Sequence, residues 1–162
     1  MRDGEWGREG RVMLWRVCAL ACLIAALGGC AGPGNPFAIL PEPQDLHITP
    51  PLAGLASEVA AFWGIWEGIW RGRNGFLASR LIVEQVDSDS AQVVYIWGDD
   101  PQGHFKAGWG RFTARVVSGR ILEFGWPQTK MVFEMAKDGR SLEGGRVQGK
   151  DLSAVIMRKV AP

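Results

Sequence analysis

Cys30 is the residue whose type and surroundings most clearly indicate chemistry. It follows the small pair Gly28-Gly29, which ends an apolar run over residues 17–27, and two arginines lie just upstream of that run. A positive segment, an apolar stretch of about 11 residues and small residues at a cleavage point are typical of a secretory signal peptide, which is too short to span a bilayer. The sequence therefore predicts cleavage between Gly29 and Cys30, next to a thiol that can act as a nucleophile.

The four residues Leu27-Gly28-Gly29-Cys30 resemble the lipobox of bacterial lipoproteins. This resemblance implies that the Cys30 thiol is acylated with a diacylglycerol group and that the signal peptide, residues 1–29, is removed. Acyl chains on Cys30 would anchor the protein to a membrane. Stable anchoring needs two or more such chains. Ala31 stands where inner-membrane lipoproteins of enteric bacteria carry Asp, so the resemblance implies the outer membrane of the cell envelope, facing the periplasm. The alternative is an ordinary signal peptide that ends by chance at a cysteine.

The chain that follows the predicted cleavage point is electrically neutral. It has 133 residues, with 14 lysines and arginines against 14 aspartates and glutamates. A formal charge of zero gives no general attraction to nucleic acid, so no nucleic-acid partner is expected. Cys18 and Cys22 lie in the signal peptide, which leaves Cys30 as the single cysteine, and no disulfide is predicted.

Residues 30–51 are predicted to be the lipidated cysteine and a tether. Six prolines fall between residues 31 and 51, and they interrupt both helices and sheets, so extended chain is expected. A short apolar island at residues 37–40 is predicted to dock either on the folded domain or on a partner. The folded domain is predicted over residues 52–162. A helix over residues 51–62 is expected at its start, because apolar side chains recur there at spacings of three and four.

After Trp63 the apolar period changes from that of a helix to that of a strand, and turn residues recur at short intervals. Eight strands are predicted, over residues 66–72, 77–86, 91–98, 109–117, 121–125, 130–137, 141–148 and 152–160. The connections are of hairpin length, which favours one antiparallel sheet, and closing that sheet removes its exposed edges. The predicted fold class is therefore all-β: a small eight-stranded antiparallel up-and-down barrel preceded by one short helix.

Gly64-Ile65-Trp66 resembles the Gly-x-Trp of the first strand in lipocalins and other calycins, and Gly68-Ile69-Trp70 repeats the pattern. In that superfamily the tryptophan closes one end of the barrel, and an arginine of the last strand packs across it. The resemblance implies a calycin-like barrel in which Arg158 caps Trp66 or Trp70. Such a cation–π pair contributes about 0.5–2 kcal/mol.

No catalytic constellation stands out in the sequence. After the predicted cleavage point there is no His-x-x-x-His, no cysteine pair and no Gly-x-Ser-x-Gly, so neither a metal nor a cofactor is predicted. Asp99, Asp100 and His104 lie in one loop, where a solvated turn is the ordinary interpretation. We therefore expect a protein that is not an enzyme.

Aromatic residues offer two hypotheses for function. The first is a binder that holds a small apolar or amphipathic molecule inside the barrel, lined by Ser79, Tyr95, Phe112 and Phe124 beside Trp70. The second is a module that engages another envelope protein through an outer face or rim formed by Trp97, Trp109, Arg111, Arg115 and Trp126. It resembles the lipid-anchored inhibitors of metalloproteases and lysozymes, which also place a small barrel behind a tether. A purely structural or accessory envelope domain is the third alternative.

These hypotheses make different demands on the inside of the barrel. A cavity above roughly 300 Å³ lined by Tyr95 and Trp70 favours the binder. A barrel filled by its own side chains, with Trp109 and Trp126 exposed together, favours the interaction module.

Overall fold

The structure, a computed structural model, describes residues 34–72 and 75–161. Gly29, Cys30 and the predicted signal peptide lie outside these residues. Within the described ranges, no helix is long and apolar enough to cross a membrane.

Eight strands follow one another along the chain, and each pairs in antiparallel register with its neighbours. Their bounds are β1 Gly64–Gly72, β2 Gly75–Val86, β3 Ser90–Trp97, β4 Gly108–Val117, β5 Ile121–Trp126, β6 Thr129–Met135, β7 Ser141–Gln148 and β8 Asp151–Ala161. β8 returns to pair with β1, so the sheet closes into a barrel. The prediction of an all-β, eight-stranded up-and-down barrel is confirmed, and the strand ends lie within two residues of those expected.

Alternating side chains divide each strand between the barrel interior and its outer surface. In β4, Ala114 and Val116 are buried inside the barrel, whereas Arg111, Thr113 and Arg115 are exposed. Successive side chains of a strand point to opposite faces of the sheet, which explains this separation. The interior is consequently an apolar core, and the polar side chains of β4 lie outside it.

Two glycines allow β1, β8 and β7 to pack closely. A Cβ atom on Gly68 would lie 2.7 Å from Val155 Cγ2, and one on Gly144 would lie 2.5 Å from Val155 Cγ1 and 2.6 Å from Phe133 Cε1. These distances are too short for any side chain other than hydrogen. Val155 on β8 therefore fills space that is left by a glycine on each neighbouring strand.

The helix before the barrel is shorter than predicted. Instead of spanning residues 51–62, the helix α1 covers only Ser57–Ala60. Gly54 has a φ of +91°, which a right-handed helix cannot include, so the helix starts after it. Val59 and Phe62 are nevertheless buried in the main core, as the apolar spacing had indicated.

Residues 35–49, which were predicted to belong to the tether, lie against the outside of the barrel and are called the strap below. Leu40 is buried with Ile82, Val94 and Ile96 of β2 and β3 in an apolar cluster separate from the main core. This contact explains why β3 is apolar on both faces. The apolar island at residues 37–40 therefore docks on the domain, and the compact unit begins at Asn35 rather than at residue 52.

Charged side chains also hold the strap. Arg80 of β2 pairs with Glu42 of the strap and with Glu67 of β1. Arg111 of β4 bridges the strap and β2, with Nη1 3.1 Å from Asp45 Oδ2 and Nε 2.9 Å from Glu84 Oε2. The hydrogen bonds that Asp45 accepts from Arg111 lower its pKa below the ordinary range. The strap is thus attached by both apolar and ionic contacts.

Candidate functional site

One end of the barrel is closed by Trp66. Its side chain is fully buried, and its Nε1–H donates a hydrogen bond of 2.8 Å to the Phe62 carbonyl. Lys159 Nζ of β8 lies 5.3 Å from the centroid of the Trp66 ring and 5.9 Å from that of Trp63. The same ammonium group donates to the Ala61 carbonyl at 3.2 Å, and burial lowers its pKa. The closed end is therefore a tryptophan covered by a cation of the last strand.

The prediction that Arg158 supplies this cation is wrong. Arg158 pairs in register with Glu67 and is exposed on the outer surface, whereas Lys159 pairs with Trp66 and faces inwards. Neighbouring residues of a strand point to opposite faces, so a difference of one position decides which side chain meets the indole. The signal that could have identified the lysine is its two-residue spacing from the buried Met157.

Trp70, the other predicted cap, lies in the middle of the barrel rather than at its closed end. Its Nε1–H donates a hydrogen bond of 2.7 Å to the Tyr95 hydroxyl. Ser79 is fully buried, and its Oγ–H donates to the Gly68 carbonyl at 3.4 Å. Burial raises the pKa of Tyr95 to about 12, so the phenol is neutral at physiological pH.

Contacts between these three side chains fill the middle of the barrel. Trp70 is 4% exposed, Tyr95 3% and Ser79 0%. The space that the binder hypothesis assigned to a ligand between Tyr95 and Trp70 is thus taken by their own hydrogen bond. A ligand held by this barrel has to lie closer to one of its ends.

Aromatic rings gather towards the end opposite Trp66. We call this set the aromatic cluster: Tyr95, Trp97, Phe112, Phe124 and Trp126. The ring centroids of contacting pairs are between 5.3 and 6.5 Å apart, and most of the planes are inclined by less than 30°. The two cluster residues of β3 are two positions apart, as are the two of β5, and side chains at that spacing point to the same face of a sheet. Together with Phe112 of β4 they face the interior.

Trp97 and Trp126 form the outer edge of the aromatic cluster. Both are half-buried, their ring centroids are 6.5 Å apart, and Trp97 Nε1–H donates to the Lys106 carbonyl at 3.0 Å. They were predicted to belong to an outer face or rim, and they lie at the rim, where both stack on the inward-facing Tyr95. They belong to the mouth of the barrel together with the predicted ligand-lining residues.

A gap in the barrel wall leads to this cluster. β4 and β5 pair over only three positions, and the ladder stops at Arg115 and Glu123. Beyond that point a cavity of about 250 Å³ opens between the strands, lined by Phe124, Gly125, Thr129 and Lys130. Of the aromatic cluster, Phe124 lines this opening.

Arg146 of β7 faces the same end from the other half of the barrel. In β7, Leu142 and Gly144 are buried inside, and Arg146 follows two residues later on the same face. Arg146 pairs in register with Met131 and with Ser153, and its charge acts on the buried Tyr95 phenol. Arg146 was not among the residues predicted from the sequence, although its two-residue spacing from Leu142 and Gly144 was a visible signal.

The remaining residues of the predicted interaction surface lie on the outer face of β4. Trp109 is 42% exposed. Arg111 is engaged by the strap and Glu84, and Arg115 Nη2 lies 2.8 Å from Glu123 Oε2. Trp109 is therefore an exposed aromatic residue, whereas both arginines already have partners within the chain.

An open groove of about 1,380 Å³ runs along the outside of the barrel, and we call it the outer groove. Outward side chains of β1, β8, β7 and β6 line it, and Phe37 of the strap stands at its border. Ile69, Ile156 and Val160 expose apolar surface there, between the charged Glu143 and Arg158. The groove is a second place where a partner can make contact.

No model of a known protein family matches the chain, and no curated protein is found that matches it.

The loop between β3 and β4 contains the single acid–imidazole pair that the sequence analysis considered. His104 Nδ1 lies 2.7 Å from Asp100 Oδ2, and the His104 backbone N–H donates to the same oxygen at 3.0 Å. Asp99 accepts the Ala107 N–H at 2.9 Å. These contacts stabilise the loop itself, and His104 is exposed to solvent. The stronger candidate site is the mouth, where aromatic faces and a guanidinium group can bind a ligand.

Proposed function

We propose that this protein is a bacterial envelope lipoprotein whose barrel binds a small amphipathic molecule at its mouth and catalyses no reaction. The observation that carries the proposal is the aromatic cluster, with Trp97 and Trp126 half-buried at the edge and the gap between β4 and β5 beside it. Aromatic faces that are only partly covered gain free energy when an apolar group removes them from water.

The filled middle of the barrel limits the kind of ligand. With Trp70 and Tyr95 bonded to each other, the bound molecule lies across the mouth or in the side gap rather than deep inside. Its apolar part covers Trp97 and Trp126 and packs towards Phe124, which lines the opening between β4 and β5. Its polar part stays near solvent, which suits an amphipathic molecule better than a fully apolar one.

The lipobox supports a membrane anchor at Cys30, with the outer membrane facing the periplasm as the expected location. Because the strap belongs to the compact unit, only residues 31–34 separate the acylated cysteine from that unit. The five Cα–Cα steps from Cys30 to Asn35 span at most about 18 Å. The barrel would therefore work near the membrane surface, where amphipathic molecules are concentrated.

Native mass spectrometry tests ligand binding. The mature chain from residue 30, carrying Cys30→Ser and exported by a non-lipoprotein signal peptide, should co-purify with a small molecule that is released on denaturation. Trp126→Ala should lower its occupancy at least fivefold, because the residue forms the edge of the mouth. Trp109→Ala, a tryptophan on the outer face, is the matched control and should have no effect. An empty wild-type chain, or equal losses in both variants, would contradict binding at the mouth.

Metabolic labelling tests the anchor independently. In the full-length chain, Cys30→Ala should abolish incorporation of labelled palmitate and leave an uncleaved precursor, whereas Cys22→Ala should be labelled and processed normally. Labelling of the Cys30→Ala variant would refute the lipobox without affecting the binding test.

A second candidate function, an interaction module for another envelope protein, is favoured by the outer groove. Its exposed apolar floor at Ile69 and Ile156 is bordered by both signs of charge, an arrangement that complements a protein surface with apolar and charged side chains. A photo-crosslinking residue at Ile156 should then give one adduct of defined mass that Ile69→Asp abolishes, whereas a crosslinker at Gln92 should give none. An adduct of twice the chain mass, or one unaffected by Ile69→Asp, would contradict this function.

A further inference from the structure

We infer that Arg146 is the anion-binding residue of the mouth and that the ligand is a small amphipathic acid, with its acid group on Arg146 and its apolar part on Trp97 and Trp126. This inference rests on the proposed function, because it names the ligand class of the same site. Carboxylate and phosphate monoester share the required chemistry, since both fit the planar fork of a guanidinium group.

The register of the sheet places Arg146 in the inward-facing layer. It pairs with Met131 on one side and with Ser153 on the other, and Met131 is fully buried. Leu142 and Gly144, two and four positions earlier in β7, are buried in the same layer. Arg146 is itself half-buried, so its charge lies at the boundary between the apolar interior and solvent.

Arg146 has no ionic partner within the part of the chain that the structure describes. Among the described arginines of the sheet, Arg80 pairs with Glu67, Arg111 with Glu84 and Arg115 with Glu123. Arg71 and Arg158 also have no ionic partner among the described residues, but both are exposed to solvent, whereas Arg146 is half-buried. No described carboxylate oxygen lies within 4.0 Å of Arg146. A partly desolvated charge without a counter-ion is unfavourable, and binding an anion relieves that cost.

A buried hydroxyl group points to the same ligand. Thr129 is 5% exposed, and its Oγ1 has no hydrogen-bond partner among the described residues. Thr129 and Met131 share the inward face of β6, and Met131 is the register partner of Arg146. Thr129 and Arg146 are therefore diagonal neighbours on adjacent strands. Thr129 also lines the cavity that opens between β4 and β5. An acid oxygen bound near Arg146 can accept the hydrogen bond that this hydroxyl otherwise leaves unmade.

The buried phenol of Tyr95 cannot substitute for the ligand. Tyr95 interacts with the charge of Arg146, but its hydroxyl accepts the Trp70 N–H, and burial raises the pKa of the phenol to about 12. The phenol therefore stays neutral at physiological pH. The positive charge of Arg146 is left for an anion that comes from outside.

The test uses three probes that share one alkyl chain: decanoate, decyl phosphate and the neutral decan-1-ol. Binding to the mature chain, with Cys30→Ser as above, is measured by quenching of tryptophan fluorescence and by calorimetry. We expect at least one of the two acids to bind tenfold or more tightly than decan-1-ol. Added salt should weaken binding of the acids and leave the alcohol unaffected. Whichever acid binds more tightly identifies the headgroup.

Arg146→Gln should remove at least nine-tenths of the affinity for the preferred acid and leave the affinity for decan-1-ol unchanged. Arg146→Lys, which keeps the charge, should retain part of the preference for the acid, and Arg140→Gln, in the turn after β6, is the matched control. Equal weakening of acid and alcohol by Arg146→Gln would show a structural role and overturn the inference. If the wild type binds acid and alcohol equally, the inference fails while binding at the mouth stands. If it binds neither, the proposed function fails as well.

Discussion

Lys159 Nζ lies 5.3 Å from the centroid of the Trp66 ring, and this contact joins the last strand of the barrel to the first. The ammonium group also donates to the Ala61 carbonyl, which belongs to the turn between α1 and β1. One side chain of β8 thus covers the indole that closes the barrel and holds the segment that leads into it. The next residue towards the N-terminus, Arg158, has neither contact.

Substitution of this lysine should weaken the closed end. Lys159→Ala removes a cation–π contact and a hydrogen bond, and should lower the free energy of unfolding by about 1–2 kcal/mol. Arg158→Ala, on the outer face, should change it by less than about 0.5 kcal/mol. Denaturant unfolding of both variants measures the difference. A larger effect of Arg158→Ala would restore the arginine as the capping residue.

The single tyrosine of the chain makes the interior observable by its own absorbance. Tyr95 is the only phenol, so ultraviolet titration should report a pKa of about 12 in the folded protein and near 10.0 after unfolding. A folded-state pKa above the unfolded one means that the phenol contributes stability below pH 10.0, and that this contribution is lost as the pH rises towards about 12.

Tyr95→Phe separates this effect from the other groups that titrate at high pH. The variant should lose less stability between pH 10.0 and about 12 than the wild type does, as measured by thermal unfolding at fixed pH values. A native phenol that titrates near 10.0 would mean that Tyr95 is open to solvent rather than bonded to Trp70.

Two adjacent glycines of β7 give a matched pair for the tight packing against β8. Gly144→Ala would place a Cβ atom 2.5 Å from Val155 Cγ1, whereas a Cβ atom on Gly145 meets nothing within 4 Å. Gly144→Ala should cost about 1–3 kcal/mol of stability by overpacking, and Gly145→Ala should be neutral within about 0.5 kcal/mol. Similar melting temperatures for the two variants would show that the strands are not packed as closely as described.

Two adjacent residues of the strap test whether it packs on the barrel. Leu40 is 7% exposed and touches the cluster of Ile82, Val94 and Ile96, whereas Ile39 is 83% exposed. Leu40→Ala should lower the free energy of unfolding by about 2 kcal/mol, and Ile39→Ala by less than about 0.5 kcal/mol. Chemical denaturation measures both. If Leu40→Ala is as mild as Ile39→Ala, the strap acts as a free tether.

Much of the barrel could be predicted because its information is local. The two-residue alternation of strands such as β4 and the turn residues between strands are properties of short segments, and hairpin-length connections leave few ways to arrange them. The length of the helix before β1 was overestimated because it was also predicted from a local pattern. Apolar spacing from Leu52 to Phe62 indicates which side chains face the core, but the positive φ of Gly54 limits how much of that stretch is helical.

Other features depend on contacts between distant parts of the chain, which no local pattern contains. Whether the proline-rich strap is free or docked depends on the apolar outer face of Val94 and Ile96. The partners of Arg111 lie in the strap and in β2, and Trp97 and Trp126 meet only because β3 and β5 curve towards each other in the closed sheet. For that reason the strap contacts of Arg111 and the stacking of the two tryptophans could not be predicted from the sequence.

The sequence by itself determined the eight strands, their antiparallel order, the inward direction of Phe112 and Phe124, and the resemblance to a lipobox at Cys30. Each of these follows from residue types at short spacing. The tertiary structure alone decided that Lys159 rather than Arg158 covers Trp66, that Trp70 bonds Tyr95, and that Arg146 faces the mouth without an ionic partner among the described residues. The physical reason is that closing the barrel fixes the register between strands, and the register determines which side chains meet across the interior.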